Sequence, residues 1–221
     1  RIVIYGGKSK ARIIIKMIEQ LSSTNSDIVG IFDPKINELP FDTNTKFYWK
    51  KKELTALCES ATHFVACIGG EHGFARYMVA KDLKQRGLLP LNVVSKFSIL
   101  DDLETLGEGI QVMPGAVAHK FSQIGDQCIL NTNCTLDHEC SIGHGVHIMG
   151  GASVAGRVSI GNFSTVGTNA TILPDLVIGN NVFVGAGAVV TKNVEDNSVV
   201  MGVPARKIRD FVPNKYLDIF E

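Results

Sequence analysis

Branched aliphatic side chains recur at every sixth position through the second half of the sequence. Twelve of them share one frame: Ile124, Leu130, Leu136, Ile142, Ile148, Val154, Ile160, Val166, Ile172, Ile178, Val184 and Val190. The residue two positions earlier is small or apolar, as at Cys128, Ala152 and Ala170. Six residues make one short strand and a turn, and three such units close one triangular coil. The pattern therefore predicts a β-helix of hexapeptide repeats with a continuous aliphatic core.

Glycine adds a second period of eighteen residues, which is the length of one coil. Aliphatic–glycine pairs recur in this frame: Leu106–Gly107, Ile124–Gly125, Ile142–Gly143, Ile160–Gly161 and Ile178–Gly179. We expect glycine at these turns because it adopts conformations that cost other residues more. Strands of a β-sandwich vary in length and would leave a strict frame after a few turns. The combined periods therefore favour the β-helix over a sandwich.

The residues before the repeats alternate short apolar runs with amphipathic segments. Apolar runs predict strands at 1–5, 27–32, 63–68 and 91–94, periodic segments predict helices at 11–21, 51–58 and 73–86, and 41–49 reads as irregular chain or an edge strand. Strands ending at Gly6, Asp33 and Gly69 would meet at one sheet edge, where open α/β sheets bind ligands. Because the glycines do not complete a GxGxxG pattern, a tight turn in a non-binding domain is the alternative.

Composition narrows the classes of function. The 221 residues carry 22 basic and 22 acidic side chains, and this zero formal net charge argues against a nucleic-acid partner. No apolar run approaches the length of a membrane span. The five cysteines form neither a CxxC pair nor a disulfide framework, which fits a reducing cytoplasm. We expect a few residues to precede Arg1, because the sequence opens on a strand without an initiator methionine.

The densest polar interruption of the repeats is the segment Asp137-His138-Glu139. His138 comes two residues after the inward Leu136 and so falls at a turn, and Gly156 occupies the equivalent position one coil later. A histidine beside a carboxylate and opposite a glycine gap can act as a general base, because the carboxylate fixes the tautomer and raises basicity. A surface histidine in a polar turn is the alternative interpretation.

Three histidines close together in the sequence raise the question of a metal site. The γ-class carbonic anhydrases bind zinc on a similar β-helix through histidines of neighbouring coils and of a second subunit. Here His138, His144 and His147 fall at unequal turn positions and show no HxxxH or HxxxxH spacing. We therefore expect no metal, and we expect His144 to be exposed to solvent.

Three motifs and the closing hexads together resemble one family. The motifs are IYGG at 4–7, LNTNCTLDHEC at 130–140 and GVPAR at 202–206. They resemble the sialic-acid O-acetyltransferase-like branch of hexapeptide acyltransferases. Within it, the sequence is most similar to bacterial nucleotide-linked amino-sugar N-acetyltransferases, such as the enzyme that makes UDP-N,N′-diacetylbacillosamine.

The resemblance implies a fold, a reaction and an assembly. It implies an α/β Rossmann-like nucleotide-sugar-binding domain at 1–94, then a left-handed parallel β-helix acetyltransferase domain at 95–221 with a C-terminal tail. It implies acetyl-CoA as co-substrate, no metal, and a nucleotide-linked amino sugar as acceptor. The acceptor expected from it is of the UDP-4-amino-4,6-dideoxy-N-acetylglucosamine type, for surface glycan biosynthesis. It further implies a homotrimer with active sites between subunits, with neither a nucleic-acid partner nor a membrane span.

The resemblance also assigns roles around the polar turn. His138 matches the general base, Glu139 the acid that raises its basicity, and Asn131 a polar residue near that pair. His147 matches an acetyl-CoA contact near the thioester. The Gly156 backbone N–H matches the group that receives the thioester oxygen.

Two further groups of residues are matched at a distance from this turn. Thr168 and Ala186 match positions that line the pantetheine arm of the coenzyme. Six residues match the nucleotide-sugar pocket: Lys8, Ser9, Lys10, Asp33, Gly69 and Arg76. This sequence departs from the family at Ser9-Lys10, where Gly-His is usual, and in the longer segment 70–75. Both departures bear on which particular nucleotide sugar is bound, more than on whether the ligand is a nucleotide sugar.

The sequence leaves three other functions open. A sugar or sialic-acid O-acetyltransferase would share the base and the coenzyme, without needing a nucleotide pocket. A zinc lyase like the γ-carbonic anhydrases would need a metal. A nucleotide-sensing scaffold without catalysis would not bind acetyl-CoA.

Overall fold

The computed structural model describes residues 1–21 and 27–212, so the predicted tail beyond 212 lies outside the described residues. The helices are α1 (Ser9–Leu21), α2 (Lys51–Glu59) and α3 (Gly73–Gln85). The first five strands are β1 (Ile2–Tyr5), β2 (Ile28–Phe32), β3 (Phe47–Tyr48), β4 (His63–Ala66) and β5 (Leu89–Pro90). They form one parallel sheet in the order β3-β2-β1-β4-β5.

This first sheet is covered by helices on both faces. The amphipathic α1 packs Ile14 and Ile18 against one face, with Ile4 and Ile31 of the strands. The helices α2 and α3 cover the other face with apolar side chains that include Leu54, Leu57, Val79 and Leu83. The strands read as continuous apolar runs because both of their faces are buried.

The strand predicted at 91–94 is divided differently in the structure. The last strand of the first sheet is β5, Leu89–Pro90, which pairs with His63–Phe64 of β4. Val93–Val94 forms β6, which pairs instead with Gln111–Val112 in the repeat region. The chain thus changes sheets within a few residues. An apolar run predicts a buried strand but does not specify its neighbour.

The repeat region is a parallel β-helix with three faces. Its strands are β6 (Val93–Val94), β7 (Ile99–Leu100), β8 (Thr105–Leu106), β9 (Gln111–Val112), β10 (Val117–Ala118), β11 (Gln123–Ile124), β12 (Ile129–Leu130), β13 (Thr135–Leu136), β14 (Ser141–Ile142), β15 (His147–Ile148), β16 (Ser153–Val154), β17 (Ser159–Ile160), β18 (Thr165–Val166), β19 (Thr171–Ile172), β20 (Val177–Ile178), β21 (Phe183–Val184), β22 (Val189–Val190), β23 (Ser198–Met201) and β24 (Arg206–Asp210). Face 1 carries β6, β9, β12, β15, β18, β21, β23 and β24, face 2 carries β7 to β22 at every third strand, and face 3 carries β8 to β20 at every third strand.

The core of the prism confirms the six-residue frame. All twelve in-frame aliphatics are buried, with at most 3% of their surface exposed. Cys128, Cys134 and Cys140 point inward among them and are equally buried. These cysteines fill volume at the small inward position, as their spacing predicts.

The eighteen-residue glycines serve a purpose different from the one predicted. None of Gly107, Gly125, Gly143, Gly161 and Gly179 has a positive φ, so conformational freedom does not require glycine there. An added Cβ at Gly125 would lie 2.8 Å from the backbone of Gly143 on the next coil. Glycine is needed because successive coils approach too closely to admit a side chain.

Three corners join the faces, and their positions locate every candidate residue. The first corner leads from face 1 to face 2 and includes turns at 132–133, 150–151, 168–169 and 186–187. The second corner leads from face 2 to face 3 and includes turns at 138–139, 156–157 and 174–175. The third corner returns to face 1. In a triangular prism the second corner lies opposite face 1.

The α/β part packs against face 1 and the third corner. Gln111 on face 1 donates from Nε2 to the Ala66 carbonyl at 2.8 Å, and Met113 joins the apolar cluster that contains α1. At the third corner, an added Cβ on Gly73 would collide with the carbonyl oxygen of Gly145. The first sheet is therefore held on the far side of the prism from the second corner.

Candidate active site

His138 and Glu139 form a hydrogen-bonded pair on the second corner. Nδ1 of His138 lies 2.8 Å from Oε2 of Glu139, and the His138 backbone N–H donates to Oδ1 of Asp137 at 2.7 Å. The carboxylate is an acceptor only, so it selects the tautomer with a proton on Nδ1. Nε2 is then left as the basic nitrogen. The imidazole is 38% exposed, which lets a reacting group reach it.

Gly156 lies directly under the imidazole of His138, as its position one coil later predicts. A Cβ at Gly156 would lie 2.6 Å from Nε2 of His138, so any other residue would collide with the ring. Among the described residues, the Gly156 N–H donates no hydrogen bond. A basic nitrogen and an available backbone donor therefore occur side by side, which is the pairing that acyl transfer requires.

A separate cavity of about 300 Å³ opens at the carboxyl edge of the first sheet. It is lined by the three strand ends that the sequence pattern brought together, at Gly6, Asp33 and Gly69. Three lysines also line it, Lys8, Lys10 and Lys35. Three cationic side chains around one carboxylate favour an anionic ligand such as a diphosphate.

Lys10 is a partly buried cation in the wall of this cavity. Among the described residues it makes no hydrogen bond or ion pair, although its neighbours include Cys67 and the cationic Arg76. Burial, with a smaller contribution from Arg76, lowers the pKa of Lys10 to about 8. An ammonium that is partly withdrawn from water and has no partner is costly, so a bound anion beside it would be favoured.

Asp33 is engaged within the protein. Its Oδ2 accepts the Gly7 N–H at 2.8 Å and its Oδ1 accepts the Lys35 N–H at 2.9 Å. The carboxylate thus joins the turn after β1 to the turn after β2. Asp33 also lines the cavity, and its two hydrogen bonds hold two walls of that cavity together.

Two residues predicted for the nucleotide-sugar pocket do not line this cavity. Ser9 is exposed on α1, in a groove with Arg12 and Pro40. Arg76 is completely buried and donates three hydrogen bonds to backbone carbonyls, those of Ile68 and of Gln127 and Gly145 in the β-helix. It therefore joins α3 to the third corner and exposes no atom to a ligand.

His147 lies at the junction between the two parts of the chain. Its Nδ1 lies 2.9 Å from the Gly70 carbonyl and its Nε2 3.2 Å from Nδ2 of Asn131. Burial, and then the nearby Arg76, lowers the pKa of His147 to about 3, so the ring is neutral. Because Gly70 offers only an acceptor, Nδ1 carries the proton and Nε2 accepts from the Asn131 amide. In one chain, neither nitrogen is free for the predicted thioester contact.

The remaining predicted residues occupy a different corner from His138 and Glu139. Thr168 and Ala186 stack on the first corner, where the Gly187 N–H donates to the Thr168 carbonyl at 2.8 Å, and both residues are exposed. Asn131 lies beside the same corner and bonds to His147, whereas the resemblance matched it to the neighbourhood of His138. The structure of one chain thus separates Asn131, Thr168 and Ala186 from His138.

An ion pair that was not predicted from the sequence lies beside His138 and Glu139. Arg157 and Asp175 follow Glu139 at eighteen-residue intervals on the second corner. Nε and one terminal nitrogen of Arg157 lie 2.6 and 2.9 Å from the two oxygens of Asp175. Counting forward from Glu139 by eighteen residues, as was done for His138, would have identified both Arg157 and Asp175 as its neighbours.

The donor geometry bears on the zinc-lyase alternative. Within residues 1–21 and 27–212, no group of three or more histidine, cysteine or acidic side chains is arranged to hold a metal ion. His144, on the third corner, is 45% exposed and lies 3.5 Å from Asp126.

No helix in residues 1–21 or 27–212 combines the length and apolar character needed to cross a bilayer.

Comparisons with known proteins agree with this architecture. Residues 158–192 match the family model for the bacterial transferase hexapeptide (six repeats). A variant of perosamine N-acetyltransferase from Caulobacter crescentus, solved with CoA and GDP-perosamine, is 26% identical with a TM-score of 0.85 over 95% of this chain and 97% of its own. WeeI from Acinetobacter baumannii is 27% identical with a TM-score of 0.81, over 94% and 99%.

A third solved structure extends the likeness in fold. The acetyltransferase domain of PglB from Neisseria gonorrhoeae, in complex with acetyl coenzyme A, is 22% identical with a TM-score of 0.79, over 94% of this chain and 98% of that one. The similarity therefore includes the α/β part as well as the repeats. The chain contains hexapeptide repeats, and its predicted resemblance to hexapeptide-repeat acyltransferases of sugars is confirmed.

Proposed function

We propose that this chain is an acetyl-CoA-dependent N-acetyltransferase that acts on a nucleotide-linked amino sugar. The observation that carries the proposal is the position of Nε2 of His138, oriented by Glu139 and lying over Gly156. The similar perosamine N-acetyltransferase, solved with CoA and GDP-perosamine, supports this substrate class. The lysine-lined cavity supplies a site for the nucleotide.

The reaction follows from these groups. The amine attacks in its neutral form: as its nitrogen forms a bond to the thioester carbonyl carbon, Nε2 of His138 takes the proton that this nitrogen loses. The Gly156 N–H stabilises the negative charge that develops on the carbonyl oxygen. When the intermediate collapses, the carbon–sulfur bond breaks and the imidazolium returns the proton to the thiolate of CoA. Glu139 holds the ring and stabilises its cationic form.

One chain cannot place both substrates at His138. The nucleotide cavity belongs to the part that packs on face 1, and His138 is on the second corner, opposite that face. The proposed coenzyme positions, Thr168 and Ala186, are on the first corner. We therefore infer a homotrimer in which the second corner of one prism meets the first corner of its neighbour. Cyclic symmetry closes such an assembly and makes three equivalent sites.

The domain assignment also belongs to the proposal. We assign residues 1–94 to a Rossmann-like nucleotide-sugar-binding domain and 95–221 to a left-handed β-helix acetyltransferase domain with a C-terminal tail. The parallel sheet order and the helices on both sheet faces support the first assignment. The five cysteines are all free and buried, which supports a reducing, cytoplasmic location.

The proposal is tested by incubating the purified chain with acetyl-CoA and a panel of UDP-, GDP- and dTDP-linked amino sugars while free thiol is measured. We expect thiol release with at least one of them, and acetylation of the amine by mass spectrometry. Acetylation only of a sugar hydroxyl, without thermal protection by any nucleotide, would instead establish the O-acetyltransferase alternative. Failure to bind acetyl-CoA would favour a sensing scaffold.

We predict that Ala186→Trp obstructs the coenzyme groove. The side chain is exposed on the first corner, one coil after Thr168. The indole should raise the Michaelis constant for acetyl-CoA by about tenfold, because it occupies space along the pantetheine arm. The Michaelis constant for the sugar should change much less. Equal changes in both constants in steady-state kinetics would place the groove elsewhere.

We predict that nucleotide affinity falls as the pH rises through the pKa of Lys10. With a pKa of about 8, Lys10 is protonated at pH 7 and mostly neutral at pH 9. A free site that must first take up a proton loses roughly tenfold in affinity per pH unit above that pKa. Calorimetric titration with the nucleotide should therefore show weaker binding at pH 9.

The control for this prediction is a second lysine variant. Lys10→Met should bind weakly at pH 7 and lose most of the pH dependence, because the titrating group is absent. Lys16→Met removes an exposed lysine of α1 that pairs with Glu19 at 2.7 Å, and it should retain the wild-type profile. A pH dependence unchanged in Lys10→Met would show that another group titrates.

A further inference from the structure

Glu139, Arg157 and Asp175 form a column along the second corner. All three occupy the same turn position, with φ of 58°, 60° and 63°, on three successive coils. Equivalent positions on successive coils point their side chains in the same direction, so the three charged groups are neighbours. Arg157 therefore lies between the carboxylates of Glu139 and Asp175, and either could accept hydrogen bonds from its guanidinium.

The guanidinium is committed to only one of these carboxylates. Arg157 meets Asp175 through two nitrogen–oxygen contacts of 2.6 and 2.9 Å, a bidentate pair. Glu139 instead meets Nδ1 of His138 at 2.8 Å. The third carboxylate of this corner, Asp137, accepts the His138 backbone N–H. Each acid of the cluster thus has a separate partner.

The two pairs are close enough to influence each other. Glu139 and Asp137 both stabilise the charged form of Arg157, behind the larger contribution of Asp175, and these contacts raise its pKa. Charge on His138 likewise acts on Asp175, whose pKa is lowered mainly by its hydrogen bonds with Arg157. Glu139 therefore attracts the guanidinium of Arg157 along the column, while Asp175 holds it through two hydrogen bonds.

We propose that Asp175 is a positioning residue for the catalytic pair: it holds Arg157 away from Glu139, so that the Glu139 carboxylate remains with His138. The claim rests on the proposed function, in which His138 is the base. A guanidinium is always charged and offers five donors, whereas the imidazole offers Glu139 only its Nδ1–H. Without Asp175, Arg157 would therefore displace His138 from Glu139.

The kinetic test uses a cycle of variants. Asp175→Asn keeps the size of the side chain and removes its charge. It should lower kcat by about three- to tenfold while leaving both Michaelis constants unchanged, because only the orientation of the base is affected. Arg157→Gln should behave like wild type. In the double variant Asp175→Asn/Arg157→Gln the competitor is gone, so kcat should return to the level of Arg157→Gln.

A matched control removes a similar pair elsewhere. Arg86 and Asp82 form a partly exposed bidentate pair at the C-terminal end of α3, with contacts of 2.8 and 3.4 Å. Asp82→Asn breaks it without touching the second corner, and it should leave kcat unchanged. An Asp175→Asn variant that matches wild type, or a double variant that stays as slow as Asp175→Asn, would overturn the proposal.

A spectroscopic arm separates this proposal from the proposed function. Nitrogen-15 spectra of histidine-labelled protein report which ring nitrogen of His138 carries the proton. We expect the Nδ1–H tautomer in wild type, a mixture of tautomers in Asp175→Asn, and recovery in the double variant. This measurement needs no turnover. A wild-type chain without acetyl transfer would refute the function, whereas unchanged spectra in Asp175→Asn would refute the role of Asp175.

Discussion

Replacement of His138 by alanine is expected to lower kcat by about a hundredfold or more, the usual consequence of removing a general base. The Michaelis constant for acetyl-CoA should change little, because the imidazole is poised to act on the attacking amine. The measurement is thiol release at saturating concentrations of both substrates, with calorimetry to follow coenzyme binding. Residual activity is expected from the positioning of the two substrates alone.

The matched control is His144→Ala. Like His138, His144 is a partly exposed histidine at a corner of the prism with an acid close to Nδ1, Asp126 at 3.5 Å. Its Nδ1, however, accepts the Asp126 backbone N–H, so the proton is on Nε2. We expect kcat to remain near wild type in this variant. Full activity in His138→Ala, or an equal loss in both variants, would remove His138 from the mechanism.

The two histidines show how far the sequence could locate the site. Both occur at turns close to acidic residues, and the six-residue frame places each on a corner. The eighteen-residue frame separates them, because it puts Gly156 opposite His138 and Asn162 opposite His144. The structure bears this out in contacts: Gly156 lies against Nε2 of His138, while the Asn162 side chain accepts the His144 backbone N–H.

The fold of the prism could be predicted because its stability depends on a local rule repeated many times. Each in-frame aliphatic makes the same inward contact, so period alone determines burial. The reason why glycine recurs every eighteen residues could not be predicted from the period. An added Cβ at Gly125 collides with a backbone eighteen residues away, and that distance depends on how tightly the coils stack.

The contacts between the α/β part and the prism could not be predicted, because no period relates the two. Arg76 was matched to a substrate pocket, but α3 turns it toward carbonyls at Gln127 and Gly145. His147 lies in a strand of face 1, where its Nδ1 hydrogen-bonds to the Gly70 carbonyl of the α/β part. A polar residue in a sequence carries no sign of whether its partner is a ligand or a distant backbone group.

Activity is also expected to return when two inactive chains are mixed. His138→Ala removes the base on the second corner, and Lys10→Glu introduces a carboxylate into the nucleotide cavity, where it would repel an anionic ligand. If a base from one subunit serves the nucleotide sugar held by its neighbour, a mixed trimer contains interfaces with both halves intact. With random assembly of equal amounts, about one quarter of the interfaces have this composition in a cyclic trimer.

Subunit exchange must be verified by mass spectrometry of differently tagged chains, and thiol release is then compared with each homotrimer. Recovery to roughly a quarter of wild-type activity would show that His138 of one subunit acts on the nucleotide sugar bound in the cavity of its neighbour. If exchanged trimers stay inactive, each chain must bring its own cavity to its own His138. That outcome would require the α/β part to leave face 1, which the buried Arg76 and its carbonyl partners at the third corner oppose.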